Sequence, residues 1–176
     1  MPGRIAVVDE NNRFLRWEER PVIHAHRLPH RSVQVFLFDT QGRLVLQRRH
    51  QDKQTWPRAW DISASGHVDE TDYPAGPDDD LDAVYAAVAH RELAEELGVE
   101  TSLQWLHRSG PEEGVCYEHY HVFQGVSDGP YVPQPDEVED VLAVTREELA
   151  LLATSGELVT PTLLRLVAWL GARGLW

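Results

Sequence analysis

The sequence is poor in cysteine, methionine and lysine. Its one cysteine, Cys116, cannot form a disulfide within the chain, and a reducing compartment fits. Lys53 is the only lysine among 16 basic residues, which face 29 acidic ones for a net charge of −13. That deficit of positive charge argues against a non-specific grip on nucleic-acid backbone. No run reaches the roughly 18 apolar residues that a membrane helix needs, and the first ten residues hold no signal-peptide-like apolar stretch. The expectation is a cytoplasmic protein with no nucleic-acid or membrane partner. A small phosphorylated ligand is compatible with the acidic balance if cations offset the repulsion. The oligomeric state stays open between monomer and dimer.

What is present reads as alternating strands and helices in one globular domain over 1–176, with 42% hydrophobic residues to fill a core. Two apolar runs, 5–8 and 13–17, flank Asn11-Asn12 and predict an N-terminal hairpin. His24, His26 and His30, with Pro29, read as a loop. Residues 32–39, the turn Thr40-Gln41-Gly42 and residues 43–49 predict paired strands. A short extended segment, 60–66, runs into Gly66. Residues 69–80 are polar, with Pro74, Gly76 and Pro77, and read as a loop. Val84, Ala87, Val88, Leu93 and Leu97 recur at helical spacing, with Asp80 as the expected N-cap and Gly98 as the stop. Strands are expected over 102–107, 115–126 and 141–144, and helices over 146–153 and 161–170. This pattern predicts an α/β/α sandwich with a mixed sheet.

The end of the long helix carries the chemistry. Arg91-Glu92-Leu93-Ala94-Glu95-Glu96-Leu97 puts Glu92 and Glu96 four apart on one face, with Glu95 beside them. Like charges at that spacing, near the negative end of the helix dipole, each oppose the helix by a few tenths of a kcal/mol to about 1 kcal/mol. A plain solvated acidic face, with Arg91 and Glu95 as an i,i+4 pair, is one reading. A set of oxygens for a hard divalent cation is the other.

With Gly66 upstream, the segment 66–99 resembles the Nudix box. That pattern has a glycine, five residues, a Glu, seven residues, then Arg-Glu, an aliphatic, any residue, Glu-Glu, any residue, Gly and an aliphatic. Residues 91–99 match the second half throughout. The first half departs: Asp72 stands where the first Glu belongs, and Arg91 follows Gly66 by 25 positions instead of 14, an insertion of 11 residues. Asp72, Asp80 and Asp82 are all candidates for the missing acid. The resemblance implies that Glu92, Glu95, Glu96 and the Ser65 carbonyl hold Mg²⁺ or Mn²⁺, and that carboxylates hold Arg91. The cations would polarise a diphosphate and activate water.

The flanks are similar to type 1 isopentenyl diphosphate isomerase over about residues 5–170. The likeness rests on Leu28-Pro29-His30-Arg31-Ser32-Val33, residues 35–49, Trp56-Pro57, Ser63-Ala64-Ser65-Gly66-His67 and Thr160-Pro161. It places diphosphate-contacting cations at Arg49 and Lys53, with Arg48 adjacent, and a catalytic Glu at Glu118. The departures turn the reading back to hydrolysis. Ser65 replaces the catalytic Cys, Thr162 the cation-stabilising Trp, Cys116 a metal-binding Glu, and Ile23 the first histidine, with His24 adjacent. Serine is a far weaker acid than cysteine, and threonine has no ring face for a cation.

The expectation is therefore a metal-dependent hydrolase of a nucleoside diphosphate derivative or related organic diphosphate. An isomerase-like enzyme and a non-catalytic nucleotide sensor are the alternatives. Catalytic candidates are Glu92, Glu95, Glu96, Glu118 and Arg91; phosphate-binding candidates are Arg48, Arg49 and Lys53. His24, His26, His30 and His67 are candidates for a second metal, with His119 and His121 as a weaker pair. Trp56 and Trp60 divide between a stacking wall and core packing.

Overall fold

A computed structural model describes residues 3–176. Strands β1 (Arg4–Val8) and β2 (Phe14–Glu19) form the expected hairpin. Helix α1 follows at Arg20–His26, where a loop was expected. Pro21 sits in the first turn, where its fixed φ suits a helix, and Ile23 is wholly buried and anchors the turn. His24 and His26 therefore lie on a helix.

The main sheet has seven strands. Strands β3 (His30–Phe38), β4 (Leu44–Arg49), β5 (Trp60–Asp61), β6 (Ala64–His67), β7 (Gln104–Ser109), β8 (Glu118–Val126) and β9 (Val138–Val144) build it in the order β5-β4-β3-β8-β7, with β6 also on β3 and β9 on β4. β3 and β8 are parallel, and the other pairs are antiparallel. The expected boundaries shift at several ends. β3 begins at His30 because His30 and Arg31 already pair with Glu118 and His119. β8 begins at Glu118, since residues before it close a turn through the Glu112–Cys116 bridge. β7 lies two residues later than expected, and β9 starts at Val138.

Helices cover both faces. α2 (Leu81–Leu97) packs Val84, Val88, Leu93 and Leu97 against Val33, Val35 and Leu37. α4 (Pro161–Ala172) packs Leu163, Leu166 and Leu170 against Phe36, Leu44 and Leu46 on the other face, near α3 (Arg146–Thr154). Alternation along β3 and β4 sends side chains to the two cores in turn. Gly98 ends α2 at φ +65°, where a left-handed residue closes the last carbonyls. Asp80 precedes α2 as expected, but in a left-handed conformation with no side-chain cap. Thr160-Pro161 starts α4; the Thr160 hydroxyl accepts from Leu163 N–H at 3.2 Å and donates to Asp61 at 2.6 Å.

Candidate active site

Gly66 is where strand and helix meet. A methyl there would overlap the Glu92 carboxylate, so only glycine leaves room for that acid against β6. Arg91 fastens the same corner. It pairs with Asp72 at 3.0 Å, Glu92 at 2.8 Å and Glu95 at 3.1 Å. Asp72 is itself fixed in a capping box of the 3-10 turn Glu70–Asp72, accepting from Asp69 N–H at 2.9 Å. Of the three acids that the sequence left open, Asp72 is the one brought onto Arg91. Asp80 stands exposed at the start of α2, and Asp82 faces a different cavity beside Tyr85 and His121.

Glu96 is 5% exposed and accepts hydrogen bonds from Gln47 Nε2 at 2.6 Å and Ser65 N–H at 3.0 Å. Burial raises its pKa to about 7, although those two bonds pull the other way. Burial, and then the charge of Glu96, raise Glu92 to about 8 despite Arg91. Two largely enclosed carboxyl groups whose ionisation is disfavoured near neutral pH form an oxygen-rich cradle that a positive charge would stabilise. The all-oxygen donor set suits a hard cation such as Mg²⁺ or Mn²⁺, so these residues fit the group.

The cradle opens into a cavity of about 340 Å³ lined by Glu92, Glu95, Glu96, Ser65, Gly66 and His67 among others. Lys53 and Arg20 supply positive charge on its wall, and Gln134, Glu137 and Asp69 line it too. Of the three basic candidates, only Lys53 is among these lining residues. Arg49 pairs with Asp61 at 3.1 Å and donates to the Thr55 carbonyl. Arg48 turns to the other side of the sheet, over the Trp60 ring and 3.3 Å from Glu157. Arg20 had no signal in the sequence beyond its charge, because its helix read as a loop. Gln47 is visible in advance only as a polar residue in an apolar strand.

A second cluster forms at the start of β8. His30 Nε2 and His67 Nε2 each lie 3.5 Å from Glu118, and Ser32 Oγ donates to the same carboxylate at 2.8 Å. His30 Nδ1 lies 2.7 Å from the Leu28 carbonyl, which only accepts, so Nδ1 carries the proton. In the neutral ring, Nε2 then turns its lone pair toward the carboxylate, with no hydrogen-bond partner of its own. Two electron-rich groups facing each other at that distance suit a cation between them, and His30, His67 and Glu118 meet the geometry for one. Burial lowers His67 to about 4, keeping its ring neutral near pH 7. Burial alone would raise Glu118, but the proximity of the His30 and His67 rings outweighs it and holds the carboxyl well below the usual carboxylate range. The His24 ring stands 5.2 Å from that of His67 and 5.8 Å from that of His30. His26 is exposed at the end of α1.

The weaker pair does not converge. His119 Nε2 meets the Asp9 carbonyl at 3.1 Å, and His121 stacks on Tyr85 at 3.9 Å. Cys116 is buried and free, just outside the strand. Trp60 is core, Trp56 is exposed, and neither is among the residues lining the cavity.

Comparison with known proteins agrees with this architecture. The NUDIX domain profile matches residues 28–166. The chain is 36% identical over 158 residues to an isopentenyl-diphosphate Delta-isomerase of Streptomyces avermitilis, covering 83% of this chain and 73% of that protein. It is 30% identical over 167 residues to an uncharacterized Nudix hydrolase of Yersinia pestis, covering 94% and 85%. The crystal structure of DR0079 from Deinococcus radiodurans superposes with a TM-score of 0.77 at 26% identity, over 94% of this chain and 97% of that one. The chain belongs to the Nudix family.

Proposed function

We propose that this Nudix hydrolase cleaves a diphosphate linkage in a nucleoside diphosphate derivative or a related organic diphosphate, with Mg²⁺ or Mn²⁺ as its cation. The observation that carries this reading is the pair Glu92 and Glu96, packed against Gly66 and Ser65 and raised to about 8 and about 7. A bound divalent cation would offset diphosphate charge and lower the pKa of a water at the phosphorus. The chain supplies the rest. Glu92, Glu95, Glu96 and the Ser65 carbonyl are the oxygen donors. Gln47 and the Ser65 N–H orient Glu96, and Arg91, held by Asp72, orients Glu92 and Glu95. Lys53 meets phosphate oxygens as a point charge, and Arg20 as a planar fork. Arg49 joins them only by leaving Asp61. Glu118, with His30 and His67, is a second cation set or a base near the first. Phosphoryl transfer asks for this positioning and charge neutralisation more than for a covalent nucleophile.

The test is a turnover screen of nucleoside di- and triphosphates, dinucleoside polyphosphates, nucleotide sugars and prenyl diphosphates with each metal. Metal-dependent release of phosphate, pyrophosphate or a monophosphate is the expected result. Ligand-induced stabilisation without turnover across the panel would replace it with a sensor. Isoprenoid isomerisation is the second reading, favoured by the His30–His67–Glu118 cluster beside Ser65 and by the name of the Streptomyces relative. Ser65 as a weak acid and Thr162 without a ring stand against it. Formation of dimethylallyl diphosphate from isopentenyl diphosphate would decide for it.

A further inference from the structure

Lys53 and Glu137 form an ion pair on the wall of the cavity that holds Glu92, Glu95 and Glu96. Three observations set the pair apart from an ordinary surface contact. The side chain of Lys53 is only 20% exposed, and burial lowers its pKa, so its ammonium needs an anion. The backbone around the pair is clamped. His50 N–H donates to the Glu137 carbonyl at 2.9 Å, and Lys53 N–H to the His50 carbonyl at 3.2 Å. Gln134 N–H and Val132 N–H donate to the Glu96 and Leu97 carbonyls at 3.0 and 2.8 Å, tying the segment that precedes Glu137 to the end of α2. Third, neither side chain has another hydrogen-bond or ion-pair partner among the described residues. Either one can change partner without breaking anything else.

We propose that this pair exchanges partners when a diphosphate binds. Lys53 passes to the phosphate oxygens, and the freed Glu137 carboxylate passes to the divalent cation held by Glu92, Glu95 and Glu96. The inference rests on the reading of the cavity as a cation-dependent diphosphate site. Charge balance drives it. A half-dry ammonium gains from the more highly charged anion. A carboxylate left beside that anion would repel it unless it met a cation, and the cation cradle lines the same cavity. Glu137 then serves as a ligand only in the ternary complex. Cation and diphosphate consequently tighten each other's binding, as linkage requires.

The experiment measures Mn²⁺ affinity of the full chain by electron paramagnetic resonance, with and without methylenediphosphonate, a non-hydrolysable diphosphate. Complexation of Mn²⁺ by the diphosphonate in free solution is subtracted. Wild type should bind Mn²⁺ about ten-fold more tightly with the diphosphonate. Glu137→Gln should match wild type without it and lose most of the tightening with it. Lys53→Met should lose the tightening too. Glu137→Ala provides a second variant at the same position, and thermal unfolding verifies that each is folded. Weakening by Glu137→Gln that is equal with and without diphosphonate would make Glu137 a permanent ligand and overturn the exchange. No weakening in either condition would make the pair a simple surface contact and also overturn it. Turnover absent with this coupling intact would sink the hydrolase reading alone, and coupling absent with turnover intact would sink the exchange alone.

Discussion

The two clusters of this molecule share one short strand and differ in how they are made. Gly66 of β6 leaves room for Glu92, while its neighbour His67 reaches Glu118. The first cluster is like charge against like charge, from residues within one turn and a half of a single helix. The second mixes imidazoles and a carboxylate from β3, β6 and β8, with a further histidine from α1 nearby. In the first, burial pushes Glu92 and Glu96 toward protonation, and the charge of Glu96 adds to this at Glu92, a cost that a bound cation would remove. The second is already partly balanced, since its acid is held ionised by its neighbours. A cation should therefore matter most to the chemistry at the first cluster and to local order at the second.

Glu96→Gln tests this contrast most severely. Steady-state kinetics should show kcat/KM lower by about 10²–10³-fold, the scale expected for loss of one charge-stabilising group; an unchanged rate would remove the cradle from the mechanism. Gly66→Ala should follow, at about 10²-fold in kcat, because the Glu92 carboxylate must shift. Rates near wild type, with the fold intact by circular dichroism, would mean that the position of Glu92 is immaterial. Glu118→Gln should weaken a second cation by about 10–100-fold in calorimetric titration while leaving the first. Should it instead abolish turnover as fully as Glu96→Gln, the two clusters act as one centre.

The smallest expected effect is on stability. Glu92 and Glu96 bind protons more tightly folded than unfolded, so between pH 4.5 and about 8 their contribution to stability falls as pH rises. A cation removes that loss, so the rise in Tm on adding Mg²⁺ should grow from pH 5.5 to pH 8. Thermal unfolding at both values checks it, and Glu92→Gln should flatten the trend. A Mg²⁺ shift independent of pH would contradict the raised pKa values.

The contrast also explains what was legible beforehand. Helical spacing alone placed Glu92, Glu95 and Glu96 together, because i, i+3 and i+4 positions are neighbours on any helix. The hairpin, the β3–β4 pair and the Gly98 stop were local as well. Asp72 was not separable from Asp80 and Asp82, because the Asp69 capping box that aims it at Arg91 depends on how the inserted loop folds back. Arg49, and Arg48 beside it, both read as phosphate candidates; strand alternation sets Arg48 over Trp60, and Arg49 pairs with Asp61, contacts that spacing alone does not reveal. α1 was missed because seven residues with one buried side chain carry too little periodicity to register.

Composition, the match over residues 91–99 and the strand–helix order were enough by themselves for the Nudix fold class and an acidic helix suited to cations, since a motif and the periodicity of each element are written along the chain. Whether that helix end becomes a site depended on tertiary structure. Gly66 had to meet Glu92, Gln47 and Ser65 had to meet Glu96, and Lys53 had to meet Glu137 across 84 positions of chain. Register in the parallel β3–β8 pair alone put Glu118 beside His30. Those meetings are set by sheet pairing and loop closure, whose energetics lie in packing between distant segments and leave no periodic mark in the sequence.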